Sequence, residues 1–379
     1  MTEVPRRRRR RAVLAVVLAV LVLAAGAGLY GLRQLQKMRE VPDYPGPGDA
    51  ELIVQVEEGE NLSEIGDSLF DRDVVASVRA FTLAAEADPR MRAVQPGYYQ
   101  VRARMSGADA VARLLDPAAR VGRLEVRGGE QLDDASLPDG TIVPGLLTGL
   151  SRASCASIGG RSTCVSPAEL RTAMGQAGPV ELGVPSWVAD PMARVEPDRR
   201  LEGLLVPGQY DVRPGSSAVE LLAQVTETSV TRLHATGLPG SAAATGYSPY
   251  EVLVIASIIE REAITSDFGK VSRVIYNRLA EGIPLQMDST INYLLDRQQV
   301  RTSAADRAQP GPYNTYLNRG LPVSPIGAPS AAAVAAATAP EPGPWRYFVK
   351  CQQDGTSCFS VSIVEHDAAV RDAVARGVF

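Results

Sequence analysis

Histidine is almost missing from this 379-residue sequence, which has only His234 and His366. A Ser-His-Asp triad or a histidine-rich metal site therefore lacks its partners, and any catalysis should rest on carboxylates. Lysine is nearly as scarce, at Lys37, Lys270 and Lys350, with arginine supplying almost all the positive charge. That bias reads as genomic and makes the many Ala and Arg residues uninformative. Aromatic residues make up 5% against a hydrophobic content of 45%, so the cores must be mostly aliphatic. No internal repeat is visible. The length allows two or three domains.

What is present begins at the N-terminus. Arg6 to Arg11 form an unbroken basic block, followed by the uncharged run "AVLAVVLAVLVLAAGAGLYGL" (12–32). At ~1.5 Å per residue this run spans a ~30 Å hydrocarbon layer. Residues 1–11 then stay cytoplasmic and the rest of the chain faces outward from the plasma membrane. A signal peptide cleaved near Ala25-Gly26-Ala27 is the rival, but the run exceeds a usual apolar core of ~7–15 residues. The net charge is −4, and it becomes −9 once residues 1–11, with six arginines and one glutamate, are set aside. That balance suits neither nucleic acid nor another polyanion.

The four cysteines form two local pairs, as expected in an oxidising location. In "YFVKCQQDGTSCFSVS" (347–362), Asp354-Gly355 signals a type I′ hairpin, and counting outward places Cys351 opposite Cys358. Cys155 and Cys164 enclose a short loop and are expected to pair as well. Zinc binding is the alternative, but the spacing is not of the CxxC kind.

Residues 33–50 read as a Pro/Gly linker. The unit 51–118 runs strand ("ELIVQV"), helix from Asn61 or Ser63, helix (75–87), strand ("GYYQV", 97–101) and helix (106–116). It resembles the LysM-like module of cell-wall proteins, most clearly in "VEEGENLSEI". Residues 119–200 are Gly/Ser/Pro-rich with one clear helix, 166–178, and read as a connector or an elaboration. Residues 201–379 look like one compact unit. It has helices near 216–234, 271–282 and 365–376, and an alanine helix (330–341) capped by Ser330. The expected class is α+β.

The stretch "SPYEVLVIASIIEREA" (248–263) carries the chemistry. Ser248, Pro249 and Glu251 form a helix start with a capping box. Glu260 and Glu262 then point about 200° apart. Glu262 continues the stripe of Ile255, Ile258 and Ile259, whereas Glu260 lies over Leu253, Ala256 and Ser257. A carboxyl held against apolar walls has a raised pKa and can serve as a general acid. The plainer alternative is a helix end with both glutamates in solvent.

Five ordered segments change that balance: "LEGLLVPGQYDV", "ASIIEREA", "VIYNRLAEGIPLQMDSTINYLL", "PYNTYLNRGLPVSPIGAPS" and "YFVKCQQDGTSCFSVSIVEHDAAV". Together they resemble the endolytic murein transglycosylases, the MltG or YceG-like family, over about 200–372 and more loosely over 51–118. The resemblance implies a membrane-anchored lytic transglycosylase with no cofactor and no metal. It would act on peptidoglycan glycan strands beside the peptidoglycan synthases. It makes Glu262 the catalytic acid and has Glu260 brace the site through Arg261 or nearby backbone. Gln286, Asp288, Thr290, Asn314 and Tyr316 would line the glycan cleft, and Glu202 would hold a loop. Turn chemistry is the competing account of Asp288, as a helix cap, and of Asn314. The chain departs from the family pattern at Val206-Pro207-Gly208-Gln209-Tyr210, at Ala328 and at Asp367, and residues 119–200 barely match. A water-using muramidase with Asp288 as base, and a non-catalytic peptidoglycan-binding scaffold, are the alternative functions.

Overall fold

The computed structural model describes residues 17–18, 20–22, 41–295, 297–299 and 302–378. The basic segment, most of the apolar run 12–32 and residues 33–40 of the linker lie outside them. Among the described residues no helix is long and apolar enough to cross a membrane. The fold is mixed α+β. The chain divides into two compact units. The smaller ends at Ala119, and the larger takes residues 97–100 and everything from Arg120 onward.

In the smaller unit, strand β1 (Glu51–Val56) buries Val54 and Val56. Helix α1 (Leu62–Asp71) starts at Asn61, whose side chain accepts from the Ser63 and Glu64 amides while Glu64 reaches back to the Asn61 N–H. This reciprocal cap satisfies donors that a bare helix end leaves open. Helix α2 (Val78–Ala87) buries Ala80, Phe81 and Ala85. After strand β2 (Gly97–Arg102), whose residues 97–100 are assigned to the larger unit, helix α3 (Gly107–Leu115) buries Ala110, Val111 and Leu114.

The larger unit begins with strand β3 (Arg123–Val126), helix α4 (Leu146–Ala153), helix α5 (Pro167–Gln176) and helix α6 (Ser186–Met192). Strand β3 pairs antiparallel with β4 (Gly208–Asp211), with Leu124 opposite Tyr210, both buried. Residues 120–200 thus share a core with the rest of the unit: Leu150, Leu170 and Met174 are fully buried in it. Helix α7 (Ala218–Ala235) comes next, opened by a capping box of Ser217 and Glu220.

The centre of the unit is helix α8 (Pro249–Glu262), whose Ser248–Glu251 capping box is present. Every residue from Val252 to Ile259 is buried. The greasy and weak faces drawn from the helical wheel are therefore both covered, as expected of a helix apolar all round. Its neighbours are α6, helix α9 (Phe268–Glu281), the short helix α10 (Asp288–Asn292) and helix α11 (Ala331–Thr338). Helix α9 ends at Gly282 with φ 64°, a left-handed cap that glycine adopts without strain. The alanines of α11 suit close packing, and Ala333, Val334 and Ala337 are buried.

Strands β5 (Tyr347–Lys350) and β6 (Ser357–Ser360) form the cysteine hairpin, and helix α12 (Ile363–Ala375) packs on it. The register differs from the expected one. Val349 lies opposite Cys358 and Lys350 opposite Ser357, and the Cys351 amide bonds the Thr356 carbonyl. The Gln352 amide bonds the same carbonyl, and Gly355 N–H closes a turn on Gln352 O. Gly355 has φ 91° at the end of that turn rather than inside a two-residue loop. The pairing moves by two residues, which leaves each side chain on its face. Cys351 and Cys358 are disulfide-bonded with Cα atoms 5.6 Å apart, and Cys155 and Cys164 are bonded too.

Candidate active site

Helix α8 stops at Glu262 because Ala263 turns extended, with φ −139° and ψ 169°. The last carboxylate is thereby delivered into a cleft of about 410 Å³. One wall comes from Leu285 to Asp288, with Arg307 and Tyr316. The other comes from β5, Tyr347 to Lys350, and from Ile363, His366 and Val370 of α12.

Glu262 Oε1 accepts the Ser289 N–H at 3.0 Å. Burial pushes the Glu262 carboxyl above the ordinary glutamate value, and the charge of Asp288 adds to this. The Ser289 amide and the Lys350 ammonium oppose it. Its place at the C-terminal end of a helix also disfavours the anion. These are the conditions for a carboxyl that holds a proton and can return to it.

Asp288 is held differently. Its Oδ1 accepts from Thr302 Oγ1 at 2.6 Å and from Tyr316 Oη at 2.5 Å. Its Oδ2 accepts from the Thr302 amide and from Arg307 Nη2 at 3.2 Å. Four donors occupy the carboxylate, and the N-cap position of α10 is Met287, with no side-chain capping bond. Burial first, then the Asp288 carboxylate, pushes the Tyr316 phenol up, so Tyr316 stays a protonated donor.

The other expected residues divide. Gln286 lines the cleft, exposed, on a backbone with φ 52°. Thr290 does not face it: fully buried, its hydroxyl donates to Met287 O and meets Thr315 Oγ1 at 2.9 Å. Asn314 does not either, since its amide side chain is used on Arg307 O, Gln309 O and the Tyr316 and Leu317 amides. The turn account fits Asn314, which shapes the loop that carries Tyr316.

Glu260 lies outside the cleft. Its Oε2 accepts from the Ser330 amide at 3.0 Å and from Ser330 Oγ at 2.5 Å, tying α8 to the start of α11. Of the two expected braces, through Arg261 or through nearby backbone, Glu260 makes a backbone one, to the Ser330 amide, and Arg261 is not its partner. Arg261 instead donates to Gly129 O and to Gln298 Oε1. The two side chains leave α8 in different directions, and each meets what lies there. Glu202 is buried apart from the cleft, accepting from the Leu132 amide at 3.2 Å and from Tyr293 Oη at 2.9 Å. Burial pushes it up to about 7.

Sequence reasoning missed Arg278, Arg307, Tyr347 and Lys350. Arg278 had a signal, because it continues the apolar stripe of Val271, Val274 and Ile275. A charged residue there must be buried with partners. Its guanidinium donates to Arg346 O and to Leu285 O, each at 2.6 Å, and sits 4.9 Å over the Tyr347 ring. It joins the two walls of the cleft.

The model of the YceG-like family matches residues 54–372. The chain belongs to the YceG-like family. The endolytic murein transglycosylase of Bacillus subtilis strain 168 is 24% identical over 355 residues, covering 92% of this chain and 90% of that protein. That of Streptococcus pneumoniae strain D39 is 25% identical over 336 residues, covering 85% of this chain and 58% of its own length. The crystal structure of a yceG-like protein from Listeria monocytogenes superposes with a TM-score of 0.52 at 22% identity. It covers 84% of this chain and 98% of the other. The YceG-like fold is thus common to both.

Proposed function

We propose that this member of the YceG-like family is a lytic transglycosylase of peptidoglycan, the activity its curated relatives are named for. Glu262 is the proposed catalytic acid. The observation that carries the reading is one half-buried carboxyl with a raised pKa, open to a cleft in which the neighbouring carboxylate already accepts four hydrogen bonds.

Two-carboxylate glycosidases set an acid on the leaving oxygen and a nucleophile or base opposite. Here Glu262 would donate its proton to the oxygen of the MurNAc–GlcNAc bond as positive charge builds at MurNAc C1. The resulting carboxylate would then remove the proton of the same sugar's C6 hydroxyl, whose oxygen attacks C1. The product is a 1,6-anhydro ring, no water is added, and Glu262 is protonated again. An intramolecular nucleophile has a high effective molarity, which stands in for the second carboxylate. General acid–base catalysis supplies about 10²–10⁴-fold. The four donors on Asp288 favour this reading over a muramidase that uses it as a water-activating base.

The basic block and the 21-residue apolar run support an anchor in the plasma membrane with the catalytic unit outside. The strand–helix–helix–strand–helix order of 51–118 fits a LysM-like module that meets the wall, and newly made strands beside the synthases are the proposed target. The test is to incubate the full chain, in detergent micelles, with uncrosslinked glycan and weigh the fragments. Anhydro ends, one water lighter than reducing ends, are expected. Reducing ends would move the reading to a hydrolase. Binding without cleavage would move it to a scaffold.

A further inference from the structure

Three Lys or Arg side chains line the cleft, and they differ in what they already hold. Arg307 is paired with Asp288, and Arg278 donates to the carbonyls of Pro284, Leu285 and Arg346. Among the described cleft residues, Lys350 is the one such cation with neither an ion pair nor a hydrogen bond on its side chain. It is exposed, and its charge is close enough to oppose the upward shift of Glu262. Its backbone is fixed from both sides, by the Lys350–Ser357 register of the hairpin and by the disulfide of Cys351, itself buried. The residue is also one of three lysines in a chain that otherwise uses arginine.

An unpaired cation held at the edge of a glycan cleft selects for an anion on the ligand. We propose that Lys350 is a specificity-determining residue that pairs with a carboxylate of the bound murein strand. The inference rests on the peptidoglycan reading above. Murein offers that chemistry from two sources. One is the carboxylates of the stem peptide, and the other is the lactyl carboxylate of a MurNAc that has lost its stem. Lys350 favours strands that present either group beside Glu262 over strands in which the charge is masked. Arg278 and Arg307 are each already held by protein acceptors, Arg278 by three carbonyls and Arg307 by Asp288 and the Thr302 hydroxyl.

The experiment measures binding rather than turnover, so that its failure is separable from failure of the transglycosylase reading. The full chain carrying Glu262→Gln, in detergent micelles, is titrated with three glycans of equal length. They carry intact stems, stems with every carboxyl amidated, or no stems and free lactyl carboxylates. Amidation is expected to weaken binding by about two- to five-fold, the range of one exposed ion pair, and by less at high salt. Adding Lys350→Ala should abolish the difference, leaving both forms at the weaker affinity, and Lys350→Arg should restore it. A Lys350-dependent preference for stem-bearing glycan names the peptide carboxylate; one for stripped glycan names the lactyl group. Equal binding of free and amidated stems, together with no gain on stripped glycan, overturns the proposal. So does a preference that survives Lys350→Ala. Binding of no glycan at all overturns it along with the peptidoglycan reading. Carboxylate-dependent binding without cleavage by the unmutated chain leaves Lys350 standing and counts against catalysis alone.

Discussion

Glu262 takes the backbone N–H of Ser289 at 3.0 Å through Oε1. Glu262 ends one helix and Ser289 lies in the first turn of another, 27 residues on. The bond fixes the rotation of the carboxyl and leaves Oε2 as the atom free to carry the proton. Because the donor is backbone, no side-chain substitution at 289 other than proline removes it. The residue after an aspartate held by four donors therefore also orients the proposed acid.

Glu262→Gln should keep this contact, since the amide oxygen can accept the same N–H, but it cannot transfer a proton. We expect an unchanged melting temperature and a loss of kcat of at least about 10²-fold on uncrosslinked glycan. In the wild type, activity should fall as pH rises through the raised pKa of Glu262, at a pH above the ordinary glutamate range. Cleavage by the variant at the wild-type rate, or a pH limb in the ordinary range, would sink the assignment.

Asp288→Asn separates two roles. If Asp288 positions Tyr316 and Arg307, the variant loses an ion pair but keeps an acceptor for the phenol. Turnover should fall about ten-fold, the equivalent of ~1.4 kcal/mol, and the products should keep their anhydro ends. Tyr316→Phe should cost about 0.5–1.5 kcal/mol of stability. The double variant should lose less stability than the sum of the two single losses, because Asp288→Asn weakens and Tyr316→Phe removes the same Tyr316–Asp288 contact. Complete loss of product with Asp288→Asn alone would instead mark a base.

The range of each interaction decides how much of this was legible in the sequence. Caps are local, and those at Ser248, Ser217 and Ser330 could be read from three or four adjacent residues. Glu262 stood out because it ends an apolar run. The partner of Glu260 lies 70 residues away, and nothing near 260 points to it. Thr290 and Asn314 sit beside cleft residues in sequence, yet a short helix and a tight loop turn them inward. The hairpin register depended on a turn type for which Asp354-Gly355 was an incomplete guide. Lys350 and Arg307 enter the cleft only through tertiary packing.

Glu202 makes stability depend on pH. Its folded pKa of about 7 lies above the unfolded value near 4.5, so the folded state keeps a proton that the unfolded chain releases between them. Stability is therefore lost as pH rises from about 4.5 to 7 and stays lost above. Glu202→Gln keeps an acceptor for Leu132 and Tyr293 without the charge. It should resemble wild type at pH 4 and exceed it at pH 8 by as much as about 3 kcal/mol in urea unfolding. Parallel pH curves for the two proteins would show that Glu202 is not the titrating group.

Glu260→Gln provides the contrast to Glu262→Gln two residues away. Glu260 joins α8 to the N-cap of α11, where Ser330 Oγ also accepts from Ala333 N–H. The amide can still accept from Ser330, but a neutral hydrogen bond is weaker than one to a carboxylate. A loss of about 1 kcal/mol in unfolding is expected, and Ser330→Ala, which removes cap and partner together, should cost about 1–3 kcal/mol. For both variants the loss of activity should track the unfolded fraction, and at a temperature where each is folded, turnover should stay within a few-fold of wild type. A folded Glu260→Gln protein with turnover as low as Glu262→Gln would mean that both glutamates act on the substrate.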